Sequence, residues 1–421
     1  MNLICKTRSV CPVCLRELPA ELTEHPDGIY MEKVCADHGR FETLIWQDDG
    51  AGFLQWMTRG GCPPETLPLT EEQLEAQLSG AGFTCDACQS PSSAALMTTN
   101  RCNMNCPVCF TRDRQEALHE PSLEECESLL RNYRERAGDD ALLEFCGGEP
   151  TVREDLPALA QLARNIGFDY IQLNTNGIRL SESVSYCSQL REAGITTVYL
   201  GFDGVTDHPY QIKYGRSLLE EKKRAVDNCE AAGLAVVLVV CVIPGENDGE
   251  LGEIIRYAKA NVPTVKGVYL QPISYFGIYP EDIRKRITIP ELIRRLADQC
   301  GDISEGDFGP CSYEHPQCSF NACYLVDREG TLWSLSEPFS SRCVEGQCAG
   351  RIRKVLRNTW MPSRTRMLTI GGMAFQDAWN IDLLRVRRCS IQVIQKDGRL
   401  IPLCSKYLSS CGGGKLFPGI G

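Results

Sequence analysis

Three cysteines stand close together in the stretch Thr99-Asn100-Arg101-Cys102-Asn103-Met104-Asn105-Cys106-Pro107-Val108-Cys109-Phe110. At C-x3-C-x2-C spacing, Cys102, Cys106 and Cys109 can offer thiolates to three irons of a cubane. The fourth iron then has no protein ligand and can take a small molecule. A zinc knuckle short of one ligand is the other reading of that spacing. Downstream, Gly147-Gly148-Glu149-Pro150 sets two residues without side chains beside a carboxylate. Glycine permits a close backbone approach, and Glu149 can accept a charge-assisted hydrogen bond from an ammonium. Asn174-Thr175-Asn176-Gly177 is a polar segment that by itself signals only a turn. Nearer the N-terminus, Cys11-Pro12-Val13-Cys14 and Cys35-Ala36-Asp37-His38 pair a C-x2-C knuckle with C-x2-H, the donor set of a tetrahedral zinc or iron site, with Cys5 as a spare ligand. Cys311, Cys318 and Cys323 are compactly spaced and form a candidate auxiliary cluster, with Cys343, Cys348, Cys389, Cys404 or Cys411 as a fourth thiolate. Cys62, Cys85 and Cys88 form a weaker group ahead of the first loop.

These residues need elements to carry them. Strand-like runs at Ala94–Thr98, Leu142–Cys146, Tyr170–Asn174, Thr197–Phe202, Ala235–Val242 and Gly267–Gln271 alternate with amphipathic helical runs at Ser122–Ala137, Arg153–Ile166, Ser181–Ala193, Ser217–Ala232 and Glu250–Ala260. Such alternation predicts a parallel sheet of right-handed βαβ units, six strands closing part of a barrel. Reactive residues then collect at the C-terminal strand ends, which is where the cysteine loop, the Gly-Gly-Glu-Pro stretch and the Asn-Thr-Asn stretch all fall. Beyond residue 280 the alternation fades, and Asp327–Gly330 and Lys396–Gly398 read as hairpin turns. The organisation expected is a metal-binding knuckle module over 1–56, a Cys-containing linker over 57–92, the barrel over 93–280 and a Cys-rich C-terminal domain over 281–421.

Composition narrows the class. A chain of 421 residues with 43% hydrophobic and 24% charged residues can bury a full core. Its net charge of -11 argues against nucleic-acid binding as its business. The longest apolar run, Leu234–Pro244, is short of a membrane span, and the N-terminus lacks a signal-peptide core, so a cytoplasmic location is expected. In a reducing compartment, 24 cysteines point to metal and cluster ligands rather than disulfides. Cys126, Cys187, Cys229, Cys241 and Cys300 have no partner at ligand spacing and are read as core residues. His119, His208 and His315 are isolated and read as surface or capping residues.

The cysteine loop with an aromatic residue after its third cysteine, followed in order by Gly147–Pro150 and Asn174–Gly177, resembles the radical S-adenosylmethionine (SAM) superfamily. That resemblance implies a [4Fe-4S] cluster on Cys102, Cys106 and Cys109 whose open iron is chelated by SAM. It also implies cofactor contacts from Phe110, Gly147, Gly148, Glu149, Pro150, Asn174 and Asn176. Val198–Gly204, Ile243–Asp248 and Gly267–Ser274 look like the subfamily of class D methanopterin-ring methylases and tetraether lipid synthases, which also carries a small rubredoxin-like N-terminal module. Glu149, Asp203 and Gln271 are then the candidate catalytic residues. The implied reaction is SAM cleavage to a 5′-deoxyadenosyl radical and hydrogen abstraction from an unactivated C–H bond, for C-methylation or C–C coupling on a pterin-like or lipid-like substrate. An electron donor such as flavodoxin or ferredoxin is the implied partner. Tyr275-Phe276-Gly277-Ile278-Tyr279 stands where the relatives usually have a Gly-Arg loop, so the substrate is not carried over. An iron–sulfur electron-transfer or scaffold protein without SAM chemistry is the alternative.

Overall fold

The computed structural model describes residues 2–79, 93–111, 118–139, 141–279, 285–311, 314–335 and 359–415. Cys85, Cys88, Cys343 and Cys348 lie outside these residues. The chain opens with an antiparallel meander, β1 (Asn2–Val10), β2 (Glu17–His25), β3 (Gly28–Cys35) and β4 (Gly39–Trp46). Helices α1 (Gly50–Arg59) and α2 (Glu71–Leu78) follow.

The barrel strands are β5 (Ser93–Thr99), β6 (Leu142–Gly147), β7 (Ile171–Thr175), β8 (Thr197–Gly201), β9 (Ala235–Val242) and β10 (Val265–Pro272). They pair in parallel in that order. Around them pack α3 (Leu123–Ala137), α4 (Leu156–Ile166), α5 (Ile178–Glu182), α6 (Val184–Ala193), α7 (His208–Tyr214), α8 (Leu219–Ala232), α9 (Leu251–Ala260) and α10 (Ile289–Gln299). The start of α3 is fixed by a capping box, Ser122 with Glu125. The run expected as one helix over Ser181–Ala193 is broken, because Ser183 turns extended and caps α6. The all-apolar β9 sits mid-sheet, where a strand is covered on both faces.

The described residues after 281 do not fold apart from the barrel sheet. Strand β11 (Ser319–Val326) turns back through Asp327–Gly330 to β12 (Leu332–Ser334), and β13 (Met367–Met373) pairs in parallel with β10 and antiparallel with β11. After α11 (Leu383–Arg387), β14 (Ile391–Ile394) pairs in parallel with β5 and turns through Asp397-Gly398 into β15 (Leu400–Pro402), which leads into α12 (Leu403–Tyr407). The result is an eleven-stranded sheet whose central run of eight parallel strands is β14-β5-β6-β7-β8-β9-β10-β13. Both flanks of the expected six-stranded barrel are thus covered by C-terminal strands. Alternation in a strand was too short there to be read from sequence, since β14 has four residues. No helix among the described residues is long and apolar enough to cross a membrane.

Cys126, Cys187, Cys229 and Cys300 are core residues as expected. Burial pushes the Cys126 and Cys300 thiols up to about 11. Unfolding returns them to the ordinary thiol range, so the unfolded chain loses its protons first as pH rises. Stability they contribute is complete below about pH 9 and is lost through pH 11, on the order of 2 kcal/mol each. A urea midpoint that falls over this window, with a shallower fall for Cys126→Ala, is the expected result. A flat profile would contradict it.

Candidate active site

The cysteine loop leaves the end of β5 and is held on every side by backbone. At its start, Gly148 N donates to Thr99 O at 2.9 Å and Glu149 N to Arg101 O at 2.8 Å. A Cβ on Gly147 would stand 2.2 Å from Thr99 O, and one on Gly148 2.4 Å from Arg101 O. The two glycines therefore let the cysteine loop lie against the end of β6. In its middle, Asn176 Nδ2 donates to Asn103 Oδ1 at 2.8 Å. At its end, Val108 N donates to Lys213 O, and Cys109 exchanges two backbone hydrogen bonds with Ile278. That last contact uses the Tyr275–Tyr279 segment, which folds down onto the third cysteine. Gly277 has φ +57°, and a Cβ there would meet Cys109 O at 2.6 Å. Gly277→Val is accordingly expected to displace the loop and to lower the iron retained after anaerobic reconstitution. Wild-type iron content in that variant would refute the role of this contact.

Cys102, Cys106 and Cys109 line one cavity of about 270 Å³, together with Gly147, Gly148, Glu149, Asn174, Asn176 and Gln271. Phe110 also faces it, its ring edge-on to Tyr407 at 5.1 Å. Pro150 does not line it; it is buried as the first residue of a 3-10 turn. Desolvation pushes the Cys102 and Cys106 thiols up to about 11, and the charge of Cys109 adds to both. A coordinated metal takes the proton's place in such a site. The three sulfurs are not all within 4.8 Å of one another, unlike the N-terminal quartet below.

Glu149 is 1% exposed, and both of its carboxylate oxygens accept hydrogen bonds. Oε1 accepts from Thr151 N, Thr151 Oγ1 and Thr175 Oγ1, and Oε2 accepts from Asn176 N at 2.7 Å. A carboxylate has about four lone-pair directions, so this geometry makes Glu149 a clamp between the ends of β6 and β7. Oε2 takes one hydrogen bond only, and Glu149 borders the cavity at the place expected for a contact with an ammonium. Asp203 departs from expectation. It is buried behind the cavity wall, where it accepts from Lys213 Nζ at 2.8 and 3.0 Å, Tyr214 Oη at 2.6 Å and Cys241 N at 2.7 Å. What reaches the cavity is its partners, Lys213 and Tyr214. Gln271 faces the cavity as expected.

Sequence reading missed Lys213 and Lys222, because lysines in helical runs look like solvated charge. Burial alone would push the Lys213 ammonium down, but the Asp203 carboxylate overrides it and holds it above its usual range. Burial pulls Lys222 down to about 8. Its Nζ donates to Asn176 O at 2.6 Å and sits 4.9 Å from the Tyr214 ring centre. Both charges act on Cys106. Cys146 and Cys241 line the cavity too, so Cys241 is not the core residue expected. Its place at the C-terminal end of β9 explains this.

In the N-terminal module the ligand atoms of Cys11, Cys14, Cys35 and His38 lie within 4.8 Å of one another. His38 Nδ1 is 3.6 Å from Cys11 Sγ and 3.4 Å from Cys35 Sγ. Leu15, at φ +57°, makes the tight return after Cys14. The contact with His38 holds the Cys35 thiol down to about 6. Four soft and borderline donors at this spacing fit one tetrahedral metal ion. Cys5 is not among them and packs in the main core.

Of the C-terminal trio, Cys323 stands apart from Cys318 along β11. Cys323 is buried four residues along β11 from Ser319, about 13 Å at strand rise. Cys318 instead lies near Cys389 and Cys404, whose charges act on one another, and Arg385 Nη2 donates to Cys318 Sγ at 3.1 Å. Cys311 lines a second cavity deeper in the barrel. Cys62 and His315 border a small space of about 40 Å³ near Cys5. His208 is exposed and meets Glu246 at 2.9 Å.

Two family models match parts of this chain. The radical SAM superfamily matches residues 96–258, and the HMPTM N-terminal zinc ribbon domain matches residues 3–47. The 7,8-dihydro-6-hydroxymethylpterin dimethyltransferase of Methanocaldococcus jannaschii is 32% identical, over 95% of this chain and 92% of its own length. A probable GTP 3′,8-cyclase of Methanothermobacter thermautotrophicus is 29% identical, over 43% of this chain and 57% of its own. Among solved structures, Streptococcus suis SuiB bound to precursor peptide SuiA covers 69% of this chain and 68% of its own at 14% identity, with a TM-score of 0.43. The chain belongs to the radical SAM superfamily, in the same family as the Methanocaldococcus methylase, and is a radical SAM enzyme with an N-terminal zinc ribbon.

Proposed function

We propose that this enzyme methylates carbon on a pterin, with Cys102, Cys106 and Cys109 as the ligands of its [4Fe-4S] cluster and Cys11, Cys14, Cys35 and His38 as those of the zinc ribbon. The observation that carries the reading is the cavity on which three thiols, the Gly147-Gly148 ridge and the polar ends of β7 and β10 converge. Bound there, the cluster and SAM supply an electron and a 5′-deoxyadenosyl radical that takes hydrogen from an unactivated C–H bond.

The chain's own work is to position and shield. The backbone bonds of Thr99, Arg101 and Ile278 fix the three thiols before any metal arrives. Glu149 sets the ends of β6 and β7 at one height, so that Asn174 and Asn176 border the same space. Lys213 and Lys222 place buried positive charge at the Cys106 corner, which favours an added electron there. Lys213 also presents an ammonium to the carboxylate of a bound SAM. The electron comes from a small reductant of the flavodoxin or ferredoxin kind.

The choice of pterin over lipid rests on the relative's substrate and on the interior surface. The deeper lumen is mostly apolar, but it also carries Glu144, Gln172, Asn174, Glu314 and Asn321, polar groups that a lipid chain would leave without partners. The test is to reconstitute the protein anaerobically, reduce it with SAM and 7,8-dihydro-6-hydroxymethylpterin, and follow 5′-deoxyadenosine and the mass of the pterin. A gain of one or two methyl groups supports the reading. Formation of 5′-deoxyadenosine with the pterin returned unchanged would refute the substrate.

A further inference from the structure

Beneath the cluster cavity the lumen continues into a second space of about 140 Å³, with Cys146, Asn174, Tyr199 and Gln271 in the wall common to both. Its lining includes two carboxylates, Glu144 and Glu314, and no Lys, Arg or His among the described residues. Asn174 Nδ2 donates to Glu144 Oε2 at 3.2 Å, and the Ser93 hydroxyl donates to Oε1. Burial pushes both carboxyls up, Glu314 to about 7 with help from the Glu144 charge. The Ser319 hydroxyl is near enough to Glu314 to offset part of that rise. Yet Ser319 Oγ, in a residue only 2% exposed, has no hydrogen-bond partner among the described residues. Tyr199, Tyr269 and Trp360 form an aromatic wall, with ring centres 5.5 to 6.2 Å apart.

Two half-buried carboxylates lining one cavity, with no cation beside them among the described residues, are costly, and an orphaned hydroxyl adds to that cost. We infer that Glu144 and Glu314 hold the substrate by taking the N–H edge of a 2-amino-4-oxopyrimidine ring, a step that rests on the pterin reading above. Such an edge places its ring N–H and its amino group side by side and gives a carboxylate two parallel hydrogen bonds, the geometry by which guanidinium groups bind carboxylates. The aromatic wall suits a flat heterocycle.

Size and direction follow from the same anchor. An apolar cavity of roughly 150 Å³ takes one benzene ring, so the deeper space takes the pyrimidine half and the second ring extends toward the cluster cavity. Glu144 lies two residues below Cys146 on β6, about 6 to 7 Å at strand rise. In a 7,8-dihydropterin bearing a 6-hydroxymethyl group, the aliphatic C–H bonds are on the ring opposite the amino-oxo edge. Anchoring that edge deep therefore turns those bonds toward the thiols.

The full-length protein, reconstituted anaerobically, is titrated by equilibrium dialysis with 7,8-dihydro-6-hydroxymethylpterin and with its lumazine counterpart, which has a 2-oxo group in place of the 2-amino group. Wild type is expected to prefer the pterin at least about ten-fold. Glu144→Gln and Glu314→Gln are each expected to weaken pterin binding about 10- to 100-fold and to bring the two affinities together, because an amide can donate to the 2-oxo group. The ratio is taken within one preparation, so partly unfolded protein cancels. If both variants keep the wild-type ratio, the carboxylates do not read this edge and the inference falls while the pterin reading stands. Wild-type protein with no affinity for either compound overturns both.

Discussion

Cys106→Ala is expected to abolish 5′-deoxyadenosine formation from SAM and to cost the protein its cluster iron while leaving the zinc in place. Cys106 sits midway in a loop whose backbone is pinned at Thr99, Arg101, Val108 and Cys109, so the loop cannot slide to bring in another thiol. Removal leaves two ligands for a cluster that needs three to stay bound with one corner open. The four donors Cys11, Cys14, Cys35 and His38 form a separate set on the β1–β4 meander, and metal analysis of one preparation separates the two losses. If the variant still produced the nucleoside, or lost zinc and iron together, the assignment of these cysteines would be wrong.

A second large effect is expected at Asp203. Its two oxygens take four hydrogen bonds from Lys213, Tyr214 and the Cys241 amide, and the carboxylate is 1% exposed against 17% for the Lys213 side chain. Asp203→Ala leaves a buried ammonium without its partner, at a cost of about 3–5 kcal/mol. Because Lys213 O also receives Val108 N, the cysteine loop should loosen with it. Urea unfolding of the full chain measures the loss. Adding Lys213→Met should recover part of it, since no unpaired charge then remains. A single variant within about 0.5 kcal/mol of wild type would show that the pair does not hold the fold.

Much of the site was readable because its parts sit at strand ends and carry unusual residue types. The cysteine loop, the paired glycines and the C-x2-H knuckle each stand out from any background. Roles were harder to read than places. Glu149 and Asp203 stand where a cofactor contact was expected, and their carboxylates also bind Thr151, Thr175, Asn176 and Lys213, partners whose proximity exists only in the folded chain. Cys318 and Cys323 are close in sequence but are set along an extended strand, whereas Cys389 and Cys404 reach Cys318 through pairing of β14 with β5. Glu144 and Glu314 gave no signal at all. One acid inside an apolar strand and another in a turn 170 positions later reveal a shared cavity only when β11 joins β13 beside β10.

Those late pairings also bear on how the protein must be made. The chain that covers β10 and β5 leaves the ribosome after the six barrel strands, so a polypeptide finished only as far as Pro272 has a sheet with two raw borders. Bare borders of this kind recruit other strands and seed aggregates. Termination between Pro272 and Met367 should therefore yield clumped material instead of a smaller working enzyme, as sedimentation of the truncated chain would show.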